Sequence, residues 1–488
     1  MQRVTPNRPW PLFDVAASRA LEQAAASRLP PHTLMQRAGL AVARLSLALA
    51  PHARTIWVAC GPGNNGGDGF EAAMHLRQWG KNPVVTWLGD EARAPADAQA
   101  SLQRARQSGV AFAGEAPAQW DLAIDALLGL GSTRPMESAM ADRAAAMNAA
   151  AAPVLAVDLP SGLDANTGAG HGVTATHTLS LLSLKPGLFT AGGRDASGQV
   201  WFDDLDVGEP PQEPSAWLTG PAAASMRRHA SHKGSYGDVA VIGGAAGMTG
   251  AALLAATAAL HAGAGRVFAA LLDGGTLSVD ASQPELMFRS WDSLGLPGMA
   301  VACGCGGGDA IRAVLPKVLS TAGALVLDAD ALNAIAADTQ LQTLLQARSR
   351  RQRPTVLTPH PLEAARLLGC DAAQVQRDRL LAGRELVQRF GCVVALKGSG
   401  SVIAGPAAAP TINSTGNARL ATAGTGDVLA GMIAARLAAG ASAFDAAAGA
   451  VYAHGLAADE WPAGMPLTAS ALAQALSCNP YPRLSSRT

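Results

Sequence analysis

RTIWVACGPGNNGGDGFEAAMHLRQWG, residues 54–80, decides the fold. An apolar run, Thr55–Cys60, leads into ten residues holding five glycines, two asparagines and an aspartate, and an amphipathic segment begins at Phe70. Apolar strand, glycine-rich turn and helix form the repeating unit of an α/β sheet, whose ligands gather at the carboxyl ends of parallel strands. Glycine is costly inside a helix, so 61–70 reads as a loop ahead of a helix starting near Phe70. Such a loop lets the backbone approach a ligand closely, and the helix behind it offers N–H groups to an anion. A phosphate cradle is the functional reading, and a tight turn without ligand is the bland one. The spacing is neither a Walker loop nor a true G-x-G-x-x-G.

The same grammar extends in both directions. PVVTWL, LAIDALLG and VLAVDLP alternate with helical segments before residue 205, and DVAVIGG, RVFAALL, GALVLDAD, PTVLTPH and CVVALKG do so after 237. Between these runs lies DVGEPPQEPSAW, 206–217, rich in proline and acid and without apolar period, which reads as a linker. A chain of 488 residues is expected to form two α/β domains, 1–215 and 216–488. Lys plus Arg and Asp plus Glu balance at 37 each with no basic stripe, so nucleic acid is not an expected partner. No apolar run reaches the roughly 20 residues of a bilayer span. No signal-peptide pattern opens the chain, and six cysteines without paired Cys-x-x-Cys spacing fit a reducing cytoplasm.

Acids recur at strand ends. Asp125 and Asp158 each follow an apolar run, and Ser161 lies three residues beyond the second. Parallel strands bring their carboxyl ends to one edge, so Asn65, Asp125 and Ser161 are candidates to converge on a weakly held cation through oxygen; helix capping is the alternative for each acid alone. In the second half, AGTGD precedes an Ala/Leu helix. This gives Gly424, Thr425 and Gly426 as an anion hole at a helix N-terminus, with Asp427 beside it as a base. Donors for a moving phosphoryl group and a carboxylate for a hydroxyl proton are what phosphoryl transfer needs.

GPGNNGGDG, DALLGLGS, VDLPSGLDANTG and LKPGL together resemble the epimerase domain of the bifunctional NAD(P)H-hydrate repair enzymes over most of residues 10–205. HKGSYGDV, SQPELMFR, VLDADALNAI, LTPHPLEAARLLG, KGSGS and GTGD occur in the order found in that family's ADP-dependent dehydratase domain, over about 228–470. The resemblance implies a Rossmann-like domain followed by a ribokinase-like one. In the first it implies potassium on Asn65, Asp125 and Ser161. The hydrated nucleotide would lie against Asn64, Asn65, Gly66, Gly67, Asp68, then Gly129, Leu130, Gly131, Ser132, Thr133, Arg134, Pro135, and Asp158, the last as acid or base. Lys185 reads equally as a phosphate partner or a solvated lysine.

For the second domain the same likeness implies that Ala251, Gly308 and His360 contact the hydrated nucleotide, with Asp427 catalytic. Lys397, Gly398, Ser399, Gly400, Ser401, Gly424, Thr425 and Gly426 would hold ADP, or ATP, with magnesium on its phosphates. His360 reads alternatively as a satisfied loop histidine. One departure stands out: GCGGG at 304–308 replaces the family's GPGLG-type loop. A homo-oligomer is expected. The competing reading makes the second domain a small-alcohol kinase and the first a non-catalytic cofactor-binding module.

Overall fold

A computed structural model of the chain describes residues 1–131, 136, 138–208, 212–222 and 229–476. It forms two compact units, Met1–Thr5 with Trp10–Trp217, and Pro6–Pro9 with Leu218–Thr488. Each is an α/β sheet with helices between its strands. Among the described residues no helix is long and apolar enough to cross a membrane.

Unit 1 holds β1 (Gln2–Arg3), β2 (Thr55–Cys60), β3 (Asn82–Trp87), β4 (Ala111–Ala113), β5 (Leu122–Ala126), β6 (Val154–Val157), β7 (His177–Leu181) and β8 (Gln199–Asp203). Their order in the sheet is β1-β8-β7-β6-β5-β2-β3-β4, parallel throughout except for β1. Strand pleating sends Ile56, Val58, Leu122 and Ile124 into one fully buried cluster and Trp57, Ala59 and Ala123 into another on the opposite face. A parallel sheet covered on both sides demands such near-continuous apolar strands. The strand order reverses between β2 and β5, where Ala59 pairs with Asp125 and Cys60 with Ala126. The crevice outside these two carboxyl ends is where an open α/β sheet binds ligands.

Unit 2 repeats the plan with β9 (Asp238–Gly243), β10 (Arg266–Leu271), β11 (Met287–Phe288), β12 (Ala300–Cys303), β13 (Ala324–Leu327), β14 (Thr355–Leu357), β15 (Val393–Leu396), β16 (Val402–Gly405) and β17 (Ala408–Ile412). The order is β11-β10-β9-β12-β13-β14-β15-β16-β17, parallel up to β15 and antiparallel beyond it. Here the reversal lies between β9 and β12, so the loops after Gly243 and Cys303 flank the crevice. Asp328, Thr358 and Lys397 each follow a strand of the same edge.

The glycine-rich stretch differs from its sequence reading. The helix begins at Asn64, not near Phe70, and takes in Gly66, Gly67 and Gly69. Packing overrides propensity here. A Cβ on Gly66 would lie 2.1 Å from the Gly61 carbonyl oxygen, and one on Gly69 would lie 2.7 Å from Cys60 Sγ. The first two turns are therefore glycine so that the helix can sit directly on the end of β2.

Candidate active sites

In unit 1 the crevice opens into a cavity of about 790 Å³ whose wall includes Asn64, Asn65, Asp68, Gly129, Leu130, Gly131 and Asp158. The helix start faces it through Pro62 and Gly63, and a Cβ on Gly63 would meet nothing within 4 Å. Gly66 and Gly67 are buried against the Gly61 carbonyl and Met35, so their contribution is to seat the helix. Ser132, Thr133, Arg134 and Pro135 lie outside the described residues.

Asp125 is fully buried at the end of β5. Its Oδ1 accepts from Ser161 Oγ at 2.6 Å and its Oδ2 from Ser161 N at 2.8 Å. Burial pushes its pKa up to about 6 against the pull of these hydrogen bonds. Leu128 ties the group together: its N–H donates to Ser161 Oγ at 2.9 Å, and its carbonyl accepts from Asn65 Nδ2 at 3.0 Å. Asn65, Asp125 and Ser161 are thus brought to one place, joined by a backbone carbonyl that sequence reasoning did not supply. Carboxylate, hydroxyl, amide and carbonyl oxygens form a donor set suited to a hard cation.

Asp158 lies at the carboxyl end of β6 with φ of +68°, a left-handed conformation that aspartate tolerates better than most residues. Its Oδ1 accepts from Leu181 N at 3.0 Å and from the ammonium of Lys185. Lys185 is fully buried and also donates to Leu181 O at 3.0 Å and Ser180 Oγ at 3.3 Å. The solvated-surface reading of Lys185 is therefore corrected: the side chain is locked to Asp158. Two wall residues, Arg19 and Glu22 on the helix Val15–Ala26, were missed. No local motif marks them, since they reach the cavity from a helix far from it in sequence. Burial raises the Asp68 pKa well above the carboxylate range, with Asp158, Glu22 and Glu71 adding to the shift.

In unit 2 the helix Thr425–Ala438 starts at Gly424, whose φ of +89° needs glycine. The Thr425 N–H already turns to Thr422 O at 3.4 Å, which takes one donor from the expected anion hole. His454, buried on the helix Ala443–Asp459, packs beneath this turn with its Nε2–H donating to Thr425 O at 2.9 Å. Burial lowers its pKa to about 4, so it is a neutral strut.

Asp427 lies within 4.8 Å of Asp328 and Cys305, measured between their carboxylate and thiol ligand atoms. Burial first, then Asp328, raise the Asp427 pKa to about 6, while a hydrogen bond with the Cys305 thiol opposes the shift. Lys397 donates to Asp328 Oδ1 at 2.6 Å and lies 4.0 Å from Glu363 Oε2, so its ammonium is committed within the protein. A Cβ on Gly426 would fall 3.3 Å from Lys397 Nζ, which brings the helix start and the Lys397 strand end together.

The loop 304–308 closes the other side of the crevice. Gly304, Gly306 and Gly308 all have positive φ, and Cys305 O accepts from Gly244 N at 2.9 Å. Gly308 N donates to Asp330 Oδ2 at 2.8 Å, and a Cβ on Gly306 would lie 2.9 Å from Ala251 Cβ, so Gly308 and Ala251 belong to one wall. Gly398 and Gly400 turn with positive φ beside Ser401, whose hydroxyl donates to Gly398 O at 3.2 Å. A Cβ on Gly398 would lie 2.8 Å from the buried Arg379 guanidinium, which holds this turn through the Leu396 and Lys397 carbonyls. His360 caps the helix Pro361–Leu368, with Nδ1 accepting from Leu362 N at 3.1 Å and Nε2 lying 3.1 Å from Glu363 Oε1. Asp328, Asp330 and Glu363 were not singled out from the sequence. Asp328 carries the signal that marked Asp125, an acid ending an apolar strand, in VLDAD.

Two family models match the chain: residues 31–187 the YjeF-related protein N-terminus, and residues 239–479 the NAD(P)H-hydrate dehydratase. The bifunctional NAD(P)H-hydrate repair enzyme Nnr of Escherichia coli is 36% identical over 483 residues, covering 93% of this chain and 90% of the relative. The ADP-dependent (S)-NAD(P)H-hydrate dehydratase of Neisseria meningitidis is 44% identical over 249 residues, covering 50% of this chain and 83% of the relative. A solved Bacillus subtilis ADP/ATP-dependent NAD(P)H-hydrate dehydratase, co-crystallised with ATP/Mg2+, aligns with 52% of this chain and 92% of its own at 31% identity and a TM-score of 0.43. The near full-length match to the E. coli protein spans both units, and the chain belongs to the bifunctional NAD(P)H-hydrate repair enzyme family.

Proposed function

We propose that unit 1 interconverts the R and S epimers of hydrated NADH and NADPH, and that unit 2 dehydrates the S epimer at the expense of a nucleotide. The working boundaries are 1–215 and 216–488. The observation that carries the reading is that each family-matched unit holds an acid in the crevice beyond the carboxyl ends of its own sheet, Asp158 on the cavity wall of one and Asp427 beside Asp328 and Cys305 in the other.

In unit 2, Asp427 takes the proton of the hydrate hydroxyl as that oxygen attacks the terminal phosphoryl of ADP, leaving AMP. Phosphate then leaves with the C–O electron pair, the neighbouring carbon gives up a proton, and the ring double bond is restored. Gly424, Thr425 and Gly426, with the turn Lys397–Ser401, hold the nucleotide; Ala251, Gly308 and His360 face the substrate. Magnesium bound to the phosphates supplies charge neutralisation. The excess of acid around Asp427, with Asp328, Asp330 and Glu363 against Lys397, favours a substrate that arrives with its cation.

In unit 1, Asn65, Asp125 and Ser161 with the Leu128 carbonyl would hold potassium, fixing the loop that follows β5. Asn64, Asn65 and Asp68, with Gly129, Leu130 and Gly131, face the hydrated ring and its phosphates, and Asp158 moves the proton. Cytoplasmic placement and homo-oligomeric assembly complete the proposal; the free thiols of Cys60, Cys303, Cys305, Cys370 and Cys392 agree with a reducing compartment.

The test is full-length protein with mixed NADH hydrate epimers, magnesium, potassium and ADP or ATP, followed by NADH absorbance. Complete conversion is expected, reduced to the S fraction by Asp158→Ala and abolished by Asp427→Asn. No NADH with either nucleotide, together with phosphorylation of a small alcohol, would replace the dehydratase reading with the kinase one.

A further inference from the structure

We propose that Glu22, acting with Asp68, is a second proton-transferring group of the unit 1 cavity, the proton donor that complements Asp158. This rests on the epimerase reading of unit 1.

Four carboxyl groups line the one cavity: Glu22 from the helix Val15–Ala26, Asp68 from the helix Asn64–Gln78, Asp97 from the helix Ala96–Gln107, and Asp158 beyond β6, with Arg19 and His32 as the other titratable side chains of the wall. Asp158 has the buried Lys185 ammonium and a backbone N–H as partners. Among the described residues neither Glu22 nor Asp68 makes a hydrogen bond or an ion pair, though both face the space a ligand would fill. The charged groups around Glu22 are Arg19 on its own helix, Asp158 and Lys185; those around Asp68 are Asp158, Glu22 and Glu71. Lys185 is already committed to Asp158, and Arg19 and Glu22 both stand on the exposed side of their helix at the cavity mouth, with Asp68 half-buried behind them. The cavity therefore holds more carboxylate than cation, and a proton on Glu22 or Asp68 relieves the excess. Desolvation by the walls, then Asp158, raises the pKa of both carboxyls.

Inverting a carbon that bears a hydroxyl beside a ring nitrogen needs one proton delivered and one removed. The Glu22 carboxyl gives its proton to the hydroxyl oxygen. The C–O bond breaks, water leaves with that electron pair, and the nitrogen lone pair forms C=N. A water then adds to the opposite face, its lone pair making the new C–O bond as the C=N pair returns to nitrogen, and Asp158 takes the released proton. One water leaves and one enters, with no change of oxidation state. Asp68, coupled to both other carboxyls, returns the proton between turnovers. A proton acceptor and a proton donor in one cavity are the two groups this sequence requires.

The experiment uses the full-length chain and purified R-NADHX in water enriched in oxygen-18, with epimer ratio and label read together. Wild type is expected to incorporate solvent oxygen into the S product. Glu22→Gln should slow exchange by roughly 100-fold or more, with KM for the R hydrate little changed. Glu22→Gln with Asp68→Asn should be no slower than the worse single variant, because residues acting as a unit are not additive. Glu22→Asp should recover part of the rate, and the limb of the pH profile on which the acid loses its proton should vanish in Glu22→Gln. Dehydration of S-NADHX by each variant reports the state of unit 2, and thermal unfolding reports that of unit 1. A folded Glu22→Gln protein with wild-type rate and pH profile would overturn the inference. Epimer exchange without oxygen incorporation would overturn the C–O cleavage step. A wild type that does not exchange epimers at all removes the epimerase reading instead.

Discussion

Replacing Lys185 with methionine tests the charge arrangement of unit 1 most severely. The side chain is fully buried, and its ammonium serves Asp158, the Leu181 carbonyl at 3.0 Å and Ser180 Oγ at 3.3 Å. Methionine fills a similar volume, so the loss is electrostatic, not a cavity. Removing one partner of a buried pair leaves the other charge uncompensated, at about 3–5 kcal/mol. For a unit of this size each kcal/mol moves Tm by roughly 2–4 °C, so Lys185→Met should lower the unit 1 transition by roughly 6–20 °C. Lys185→Met combined with Asp158→Asn removes both charges and should recover much of that loss, since a neutral replacement of a buried pair is often tolerated. Calorimetry of the three proteins gives the stabilities, and epimer exchange at a temperature where each is folded gives activity. Exchange should collapse in both variants while S-hydrate dehydration persists. A Lys185→Met protein that melts with the wild type and exchanges epimers normally would refute the claim that this ion pair organises the site.

Asp427, with a pKa raised to about 6, must be ionised to accept a proton, so kcat/KM for dehydration should fall as pH drops through about 6. Cys305→Ala removes the hydrogen bond that favours the ionised carboxylate and should move this limb to higher pH, whereas Cys305→Ser should leave it near its wild-type position. Asp125 is also raised to about 6, above its unfolded value, so its burial contributes instability above that pH and none below the unfolded pKa. A bound potassium offsets this only when the carboxylate is ionised. Replacing choline with potassium should therefore raise the melting temperature at pH 8 and have little effect at pH 5, as followed by scanning fluorimetry. Gly66→Ala places a methyl 2.1 Å from the Gly61 carbonyl, and should cost about 1–3 kcal/mol and weaken epimer exchange, measured by denaturant titration and rate.

The sheet strands were legible because parallel sheets bury both faces: TIWVAC, VLAV, DVAVIG and VVAL announce themselves as short apolar runs, and each is a strand. The switch points were not, because strand order depends on which crossover lies on which face. The helix start at Asn64 was misread because three glycines counted against it, while the contacts that require glycine come from β2 and the Gly61 carbonyl. Among site residues, Asp125, Asp158 and Ser161 were visible as polar residues ending apolar strands. Glu22 and His454 were not, since one reaches its site from a remote helix and the other supports its site from below. Of the two readings of Lys185 the solvated one fails, because burial of a lysine is decided by its acid partner, 27 positions away in sequence.

Both units pair a lysine with an aspartate at the carboxyl edge, Lys185 fully buried and Lys397 half-buried, and the choice of aspartate divides their chemistry. In unit 1 Lys185 engages Asp158, a residue of the cavity wall. On the reading proposed for unit 1, Asp158 has this ammonium as its partner, while Glu22 and Asp68 line the same cavity with no hydrogen bond or ion pair among the described residues. In unit 2 Lys397 engages Asp328, leaving Asp427 beside a negative charge it does not share. Asp427 is then a stronger base than an exposed aspartate, suited to taking one proton from a hydroxyl as phosphoryl transfer begins. An inversion needs an acid and a base together, and a phosphoryl transfer to oxygen needs chiefly a base. Moving one ammonium from the reacting carboxylate to its neighbour provides for each.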